Sequence, residues 1–132
     1  MTPGRQAILC VDDEVVILLA MRQELRRRFG DRYTIETSPG AKEAGAAIEA
    51  LEAEGVSVVL VICDWFMPGI PGDRFLAELH ERRPGIKSIL MTGRADSDST
   101  KKAREDDAGI SAYITKPWQP EALARAIESC LS

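Results

Sequence analysis

The sequence has few of the side chains from which many metal and catalytic sites are built. Its 132 residues include one histidine, His80, so a histidine-based metal site or a Ser-His-Asp triad is hard to assemble. The three cysteines are an odd set without a Cys-x-x-Cys spacing, which favours buried, reduced thiols over disulfides or a zinc site. A functional site in this protein is therefore expected to use other chemical groups.

An excess of positive charge and a long apolar run are also missing. The 17 lysines and arginines against 21 aspartates and glutamates give a formal charge of -4, which argues against direct nucleic-acid binding. No apolar run is long enough to span a bilayer, and Met1 to Gln6 has no hydrophobic signal-peptide core. We therefore expect a cytoplasmic protein without membrane contact. The length fits a single domain over residues 1–132.

The strongest strand pattern lies in the middle of the chain. An unbroken apolar run from Val58 to Cys63, rich in β-branched residues, is typical of a central strand covered by helices on both faces. The run ends in a carboxylate, Asp64, and ligands of open α/β sheets bind at the carboxyl ends of the strands. Taken alone, Asp64 fits equally well as a residue that merely ends a strand. A loop is predicted next by Pro68, Gly69, Pro71 and Gly72.

Strand and helix patterns alternate five times along the chain. Strands are expected at Ala7–Val11, Tyr33–Thr37, the run before Asp64, Ile86–Met91 and Ser111–Thr115. Helices are expected at Val15–Phe29, after Ser38, after Asp73, at Ser97–Ala108 and from Pro120. This alternation predicts an α/β fold, namely a doubly wound five-stranded parallel sheet with five helices distributed over both faces.

Several helices carry local sequence signals. Ser38, which is followed by a proline, is typical of an N-cap, and Asp73 is a candidate N-cap for the third helix. The arginines from Arg26 to Arg28 are most simply a solvated face of the first helix. The helix Ser97–Ala108 has only two alanines as apolar members, so we expect it to be weakly held.

Polar side chains of different types follow four of the predicted strands. They are Asp12 and Asp13 after the first, Asp64 after the third, Thr92 after the fourth and Lys116 after the fifth. Because strand ends of a parallel sheet lie side by side, the carboxylates converge and repel, and a divalent cation is the simplest means of keeping them ionised. Oxygen ligands favour Mg²⁺. Asp64 could attack phosphorus as a nucleophile, with Lys116 and Thr92 stabilising the charge of the transferred group.

Four separated segments carry a resemblance to a known family. They are Asp12-Asp13-Glu14, the segment from Asp64 to Gly72, Met91-Thr92-Gly93, and the segment from Tyr113 to Pro117. In this order, and over essentially the whole chain, they resemble the signature of receiver domains of bacterial two-component response regulators, the CheY-like superfamily. The resemblance implies a flavodoxin-like fold with strand order 2-1-3-4-5. It also implies a phosphoacceptor domain for phosphorelay signalling that is not an enzyme acting on an outside substrate.

The resemblance implies a role for each residue at the acidic edge. Asp64 would accept a phosphoryl group from a sensor histidine kinase or a phosphotransfer protein. Asp13 and Asp64 would bind Mg²⁺ together with the backbone carbonyl of Phe66, and Asp12 would help through water. Lys116 would contact the phosphate, and the Lys116–Pro117 peptide bond would be cis.

The resemblance also implies a conformational switch. Thr92 would shift toward the phosphate, and Tyr113, at the aromatic switch position, would change its burial in response. The readout surface would consist of the helix Ser97–Ala108, the strand through Tyr113 and the final helix. This surface would control an output domain or effector protein, and dimerisation on phosphorylation is an expectation from the family.

Two other interpretations use the same residues. A phosphatase of the haloacid dehalogenase type also has an aspartyl nucleophile and Mg²⁺, but it needs a second aspartate two residues after the nucleophile, where this chain has Phe66. The second interpretation is a receiver-like domain that is never phosphorylated, and the intact acids, Thr92 and Lys116 count against it.

The bulky Phe66 leads to the hypothesis that attack by water on a phosphorylated Asp64 is hindered.

Overall fold

The strands form a single parallel sheet. The structure is a computed structural model that describes residues 5–93 and 109–132. The strands are β1 (Arg5–Val11), β2 (Thr34–Ser38), β3 (Val56–Asp64), β4 (Lys87–Gly93) and β5 (Ala112–Lys116). Their order in the sheet is β2-β1-β3-β4-β5, and each pairing is parallel. The predicted fold class and strand order are therefore confirmed.

Helices connect the strands and cover both faces of the sheet. They are α1 (Val15–Phe29), α2 (Ala41–Ala53), α3 (Gly72–Arg82) and the C-terminal helix α4 (Pro120–Leu131). The bounds of α1 and the start of α4 agree with the sequence prediction. The helix predicted over Ser97–Ala108 lies outside the described residues, so it stays a prediction. Among the described residues, no helix has the length and apolar character needed to cross a membrane.

The side chains of β1 alternate between the two halves of the core. Ala7, Leu9 and Val11 pack on the side that α2 and α3 cover, whereas Ile8 and Cys10 pack with α1 and α4. All five are fully buried, as expected of a strand with helices on both faces. The three cysteines are free thiols, of which Cys10 and Cys63 are buried and Cys130 partly buried. The predicted burial is confirmed for Cys10 and Cys63, whereas Cys130 is less buried than predicted.

The prediction of Ser38 as a helix N-cap is wrong. Ser38 is the buried last residue of β2 and is in register with Val11 of β1, and its carbonyl accepts a hydrogen bond from the Asp12 N–H at 3.2 Å. The helix begins later, at Ala41, with Gly40 as the N-cap. Pairing between strands therefore takes precedence over the local capping signal.

The prediction of Asp73 as an N-cap is also wrong, by two residues. The helix α3 begins at Gly72 with Pro71 as its N-cap, because the Gly72 N–H is held by the Trp65 carbonyl at 2.8 Å. Asp73 instead lies in the first turn, where a carboxylate interacts favourably with the helix dipole. In α4, Leu123, Ala124 and Ile127 are buried, whereas Ala126 and Cys130 are only partly buried.

Candidate functional site

The register of the sheet brings the predicted site residues to one edge. Val11 is paired with Cys63, so the residues that follow, Asp12 and Asp64, lie side by side at the ends of neighbouring strands. Asp64 is paired with Met91, which directly precedes Thr92 in β4. Lys116, the last residue of β5, is paired with Gly93. Strand ends that are far apart in the sequence therefore meet at the carboxyl edge, where ligands of such sheets bind.

Three carboxylates lie close enough together to hold a metal ion. One carboxylate oxygen each from Asp12, Asp13 and Asp64 lies within 4.8 Å of the other two. Asp12 is fully buried and Asp64 is 5% exposed, whereas Asp13 is exposed. An open cluster of oxygen ligands with one solvent-facing member suits Mg²⁺, which retains several of its waters. The donor set therefore fits the cation expected from the sequence.

The ammonium group of Lys116 lies between the buried carboxylates. Its Nζ donates to Asp12 Oδ2 at 3.1 Å and to Asp64 Oδ2 at 3.3 Å, and it lies 3.6 Å from Glu14 Oε1. The other oxygen of Asp12, Oδ1, accepts the Glu14 N–H at 2.9 Å. The peptide bond between Lys116 and Pro117 is cis, as predicted. The side chain of Lys116 is 18% exposed, so this ion pair is largely shielded from solvent.

Burial and mutual repulsion make the ionised forms of Asp12 and Asp64 less stable. Burial, and after it the negative charge of Asp12, raise the pKa of Asp64 to about 6 against the opposing effect of Lys116. Burial also raises the pKa of Asp12. For Lys116, burial lowers the pKa, but its hydrogen bond to Asp12 and the charge of Asp64 outweigh this effect, so the pKa is raised overall. One lysine thus compensates the carboxylates only in part, and an additional cation would be favourable here.

Gly72 packs directly against the backbone of Asp64. A Cβ atom built at Gly72 would lie 2.0 Å from the Asp64 carbonyl oxygen and 3.1 Å from Cys63 Sγ. No residue with a side chain fits this position unless either α3 or the end of β3 moves. The sequence predicted Gly72 only as a loop former, so its function in positioning Asp64 was missed.

Glu14 belongs to one of the segments that carry the resemblance, but the sequence analysis gave it no role in the site. Its backbone N–H orients Asp12, and its carboxylate lies near Lys116. The signal in the sequence was its position two residues after Asp12, where an aspartate side chain commonly accepts a backbone hydrogen bond.

The remaining predicted residues have different environments. Thr92 is buried in β4, next in sequence to the register partner of Asp64. Tyr113 is partly buried in β5 and packs against the half of the core that α2 and α3 cover. Phe66 is 65% exposed, and its ring stacks against that of Trp65 with a centroid distance of 6.3 Å. The exposed Phe66 ring lies in the loop that directly follows Asp64.

Comparisons with known proteins show which family this sequence resembles. The family model described as "Response regulator receiver domain" matches residues 8–128. The hydrogenase transcriptional regulatory protein HoxA of Cupriavidus necator is 36% identical over 131 residues, which is 99% of this chain and 25% of HoxA. The sensor kinase CckA of Brucella abortus is 29% identical over 128 residues, 97% of this chain and 13% of CckA. The chain thus spans a quarter or less of the length of these relatives.

A solved structure extends the similarity to three dimensions. The crystal structure of a response regulator receiver domain protein from Clostridium thermocellum has a TM-score of 0.80 and 27% sequence identity. The match covers 96% of this chain and 93% of that one. Here, unlike in the longer relatives, nearly the whole of both chains is aligned.

Proposed function

This chain belongs to the response regulator receiver domain family, and from this premise we propose that Asp64 accepts a phosphoryl group from a sensor histidine kinase or a phosphotransfer protein. The observation that carries the proposal is the position of Lys116 Nζ, 3.1 Å from Asp12 and 3.3 Å from Asp64, two carboxylates that form a close group with that of Asp13. A buried carboxylate next to a cation site can attack phosphorus and form an aspartyl phosphate. The protein is then a phosphoacceptor that assists only its own phosphorylation and dephosphorylation.

Each residue at the edge has a distinct task in this proposal. Asp13 and Asp64, together with the backbone carbonyl of Phe66, would hold Mg²⁺, and Asp12 would contribute through water. A bound cation would supply charge neutralisation for the oxygens of the incoming phosphoryl group. Lys116 neutralises a second oxygen from the side of β5, since its ammonium already lies against Asp64 Oδ2.

We propose that Thr92 and Tyr113 convert the modification into a change of surface. A phosphoryl group at Asp64 adds roughly two negative charges at the buried strand ends, where Thr92 can donate its hydroxyl. A shift of Thr92 in β4 would alter the space open to Tyr113 in the neighbouring β5. The readout surface would then consist of the helix predicted over Ser97–Ala108, which lies outside the described residues, together with β5 and α4.

The proposal places residues 1–132 as one receiver domain in a cytoplasmic signalling pathway. Buried free thiols, such as those of Cys10 and Cys63, suit a reducing compartment. HoxA is named as a transcriptional regulatory protein and CckA as a sensor kinase, so receiver-like sequences occur with different outputs. We propose an output domain or effector protein as the downstream partner, no direct nucleic-acid contact by this segment, and a homodimer on phosphorylation.

The test of the proposed function is phosphorylation by a small-molecule donor. The protein is incubated with acetyl phosphate and Mg²⁺ beside an Asp64→Asn variant, and intact masses are recorded. We expect one acid-stable, base-labile phosphoryl adduct that requires Mg²⁺ and is absent from the variant. If no adduct forms while Mg²⁺ still binds, the protein is a receiver without phosphoacceptor function.

Mg²⁺ is expected to stabilise the folded protein through Asp13. Binding to the native state alone should add about 2–3 kcal/mol to the free energy of unfolding when Mg²⁺ is present at about a hundred times its Kd. Asp13→Asn should remove most of this gain while leaving the metal-free stability intact, because Asp13 is exposed. Thermal unfolding with and without Mg²⁺ measures the difference. Asp31→Asn, another exposed acid, is the matched control, and an equal loss in both variants would rule out the assignment of Asp13.

Phe66 is expected to lengthen the lifetime of the phosphorylated protein. Its exposed ring follows Asp64 by two residues and, unlike asparagine, offers no hydrogen bond to an attacking water. Phe66→Asn should therefore lose phosphate several-fold faster than wild type, whereas Phe66→Leu, which stays apolar, should change little. The decay of the phosphorylated species by mass spectrometry decides this, and equal decay rates in the asparagine and leucine variants would contradict the hypothesis.

A further inference from the structure

A second concave site lies at the edge of the sheet opposite Asp64. The amino-terminal ends of β1 and β2, the carboxyl end of α1 and the turn after α1 line an open cavity of about 580 Å³. This volume is within the range of small-molecule binding sites, which is about 300–1,000 Å³. The cavity shares no residue with the acidic cluster and has no part in the function proposed above.

The cavity concentrates positive charge in a protein of negative net charge. Arg5, Arg26 and Arg32 line it, and Asp31 is the sole carboxylate among its lining residues. Within the described part of the chain, none of these three arginines forms an ion pair with an acid. The whole chain, in contrast, has a formal charge of -4. The uncompensated cations at this edge are therefore not a general property of the surface.

The arginine run at the end of α1 divides into two groups. Arg27 and Arg28 both bond to Glu24, and Arg28 also bonds to Glu121 of α4, so their charges are compensated. Arg26 lines the cavity. The prediction of one solvated face is therefore wrong for Arg28, whose ion pair with Glu121 links α1 to α4.

Other contacts fix the positions of two of these cations without neutralising them. The guanidinium of Arg32 lies over the rings of Phe29 at 5.1 Å and Tyr33 at 5.9 Å. Arg5 donates from Nη2 to Thr34 Oγ1 at 3.3 Å. A favourable interaction with the helix dipole explains a basic residue in the last turn, as with Arg26. It does not explain Arg5, which comes from β1, or Arg32, which comes from the turn after the helix.

We propose that this cavity binds a small, multiply charged anion that contains phosphate groups. Guanidinium groups present planar pairs of donors that match phosphate oxygens, and cations from three different elements can contact more than one phosphate. The partly buried Tyr33, also in the lining, offers an aromatic surface for an attached ring. The ligand could thus be a nucleotide or a free polyphosphate, and both share the chemistry that the arginines recognise.

The test is calorimetric titration with inorganic pyrophosphate and, separately, with ADP, in EDTA so that the metal site does not contribute. We expect saturable binding that weakens with added salt and falls by roughly tenfold for each arginine removed in Arg26→Gln and Arg32→Gln. Arg125→Gln, an exposed arginine of α4 outside the cavity, is the matched control and should bind as wild type. Asp64→Asn should also bind normally, which separates this site from the phosphoacceptor.

The two probes distinguish the sources of the ligand. Equal affinity for pyrophosphate and ADP would identify a phosphate-only site, whereas tighter binding of ADP would add a contact to the ring. Either result supports the proposal if the arginine variants bind more weakly. Absence of binding by both probes, or an equal loss in Arg125→Gln and Arg26→Gln, would overturn it.

Discussion

Lys116→Met is expected to reduce phosphoryl uptake from acetyl phosphate by at least about a hundredfold, the usual cost of removing one charge-stabilising donor from such a site. The ammonium of Lys116 is 3.3 Å from Asp64 Oδ2, so it is positioned to neutralise an oxygen of the arriving phosphoryl group. Methionine has a similar length without a charge. The rate of adduct formation by intact mass, at saturating Mg²⁺, measures the loss.

The same variant should be less stable, because Asp12 and Asp64 would remain buried without their cation. Removing one partner from such a cluster costs about 3 kcal/mol. The loss should be larger in EDTA than in Mg²⁺, since a bound metal ion replaces part of the missing charge. Lys42→Met, an exposed lysine of α2, is the control and should change neither stability nor rate. A Lys116→Met variant with wild-type uptake would refute the role of this lysine.

Gly72→Ala is expected to displace the backbone of Asp64 and so reduce both stability and phosphoryl uptake. The added methyl group would lie 2.0 Å from the Asp64 carbonyl oxygen, so either α3 or the end of β3 must move. We expect a loss of about 3 kcal/mol in the free energy of unfolding. A displaced Asp64 should also take up phosphate about a hundredfold more slowly, the cost of a misplacement of roughly 1 Å.

Gly45→Ala is the matched control for this substitution. Gly45 lies within α2, and a Cβ atom added there would have no other atom within 4 Å apart from its chain neighbours and the backbone of its own helix. Alanine should therefore raise the stability by about 1 kcal/mol through its higher helix propensity. Urea unfolding and phosphoryl uptake are measured on both variants. Equal stabilities and equal rates for the two variants would show that the close contact at Gly72 has no effect.

The fold was predictable because burial sets the sequence pattern of nearly every element. The apolar run before Asp64 has its side chains covered on both faces, and α1 begins and ends at the predicted residues because its buried side repeats with the helical period. The starts of α2 and α3 could not be predicted from local signals, which placed the N-caps wrongly at Ser38 and Asp73. Strand pairing with Val11 and the hydrogen bond from Gly72 to Trp65 set those helix starts.

The acidic cluster was predictable for a related reason. Asp12, Asp64 and Lys116 each follow or end a strand, and the order of a parallel sheet brings such ends together whatever their separation in sequence. The contact between Gly72 and Asp64 depends on how closely α3 approaches β3, which no local pattern records. The cavity with the three arginines likewise depends on the fold, which brings Arg5 of β1 close to Arg32 in the turn before β2. Counting charges along the sequence does not reveal it.

The position of the phosphoryl group is the most direct test of the central proposal. Borohydride reduces an acyl phosphate to an alcohol, so a phosphorylated aspartate becomes homoserine and keeps its place in the sequence. The protein is treated with acetyl phosphate and Mg²⁺, reduced, digested and sequenced by fragment-ion mass spectrometry. We predict homoserine at position 64 alone. Homoserine at Asp12 or Asp13, or at no aspartate in a sample that carries the phosphoryl adduct, would contradict the assignment of Asp64 as the acceptor.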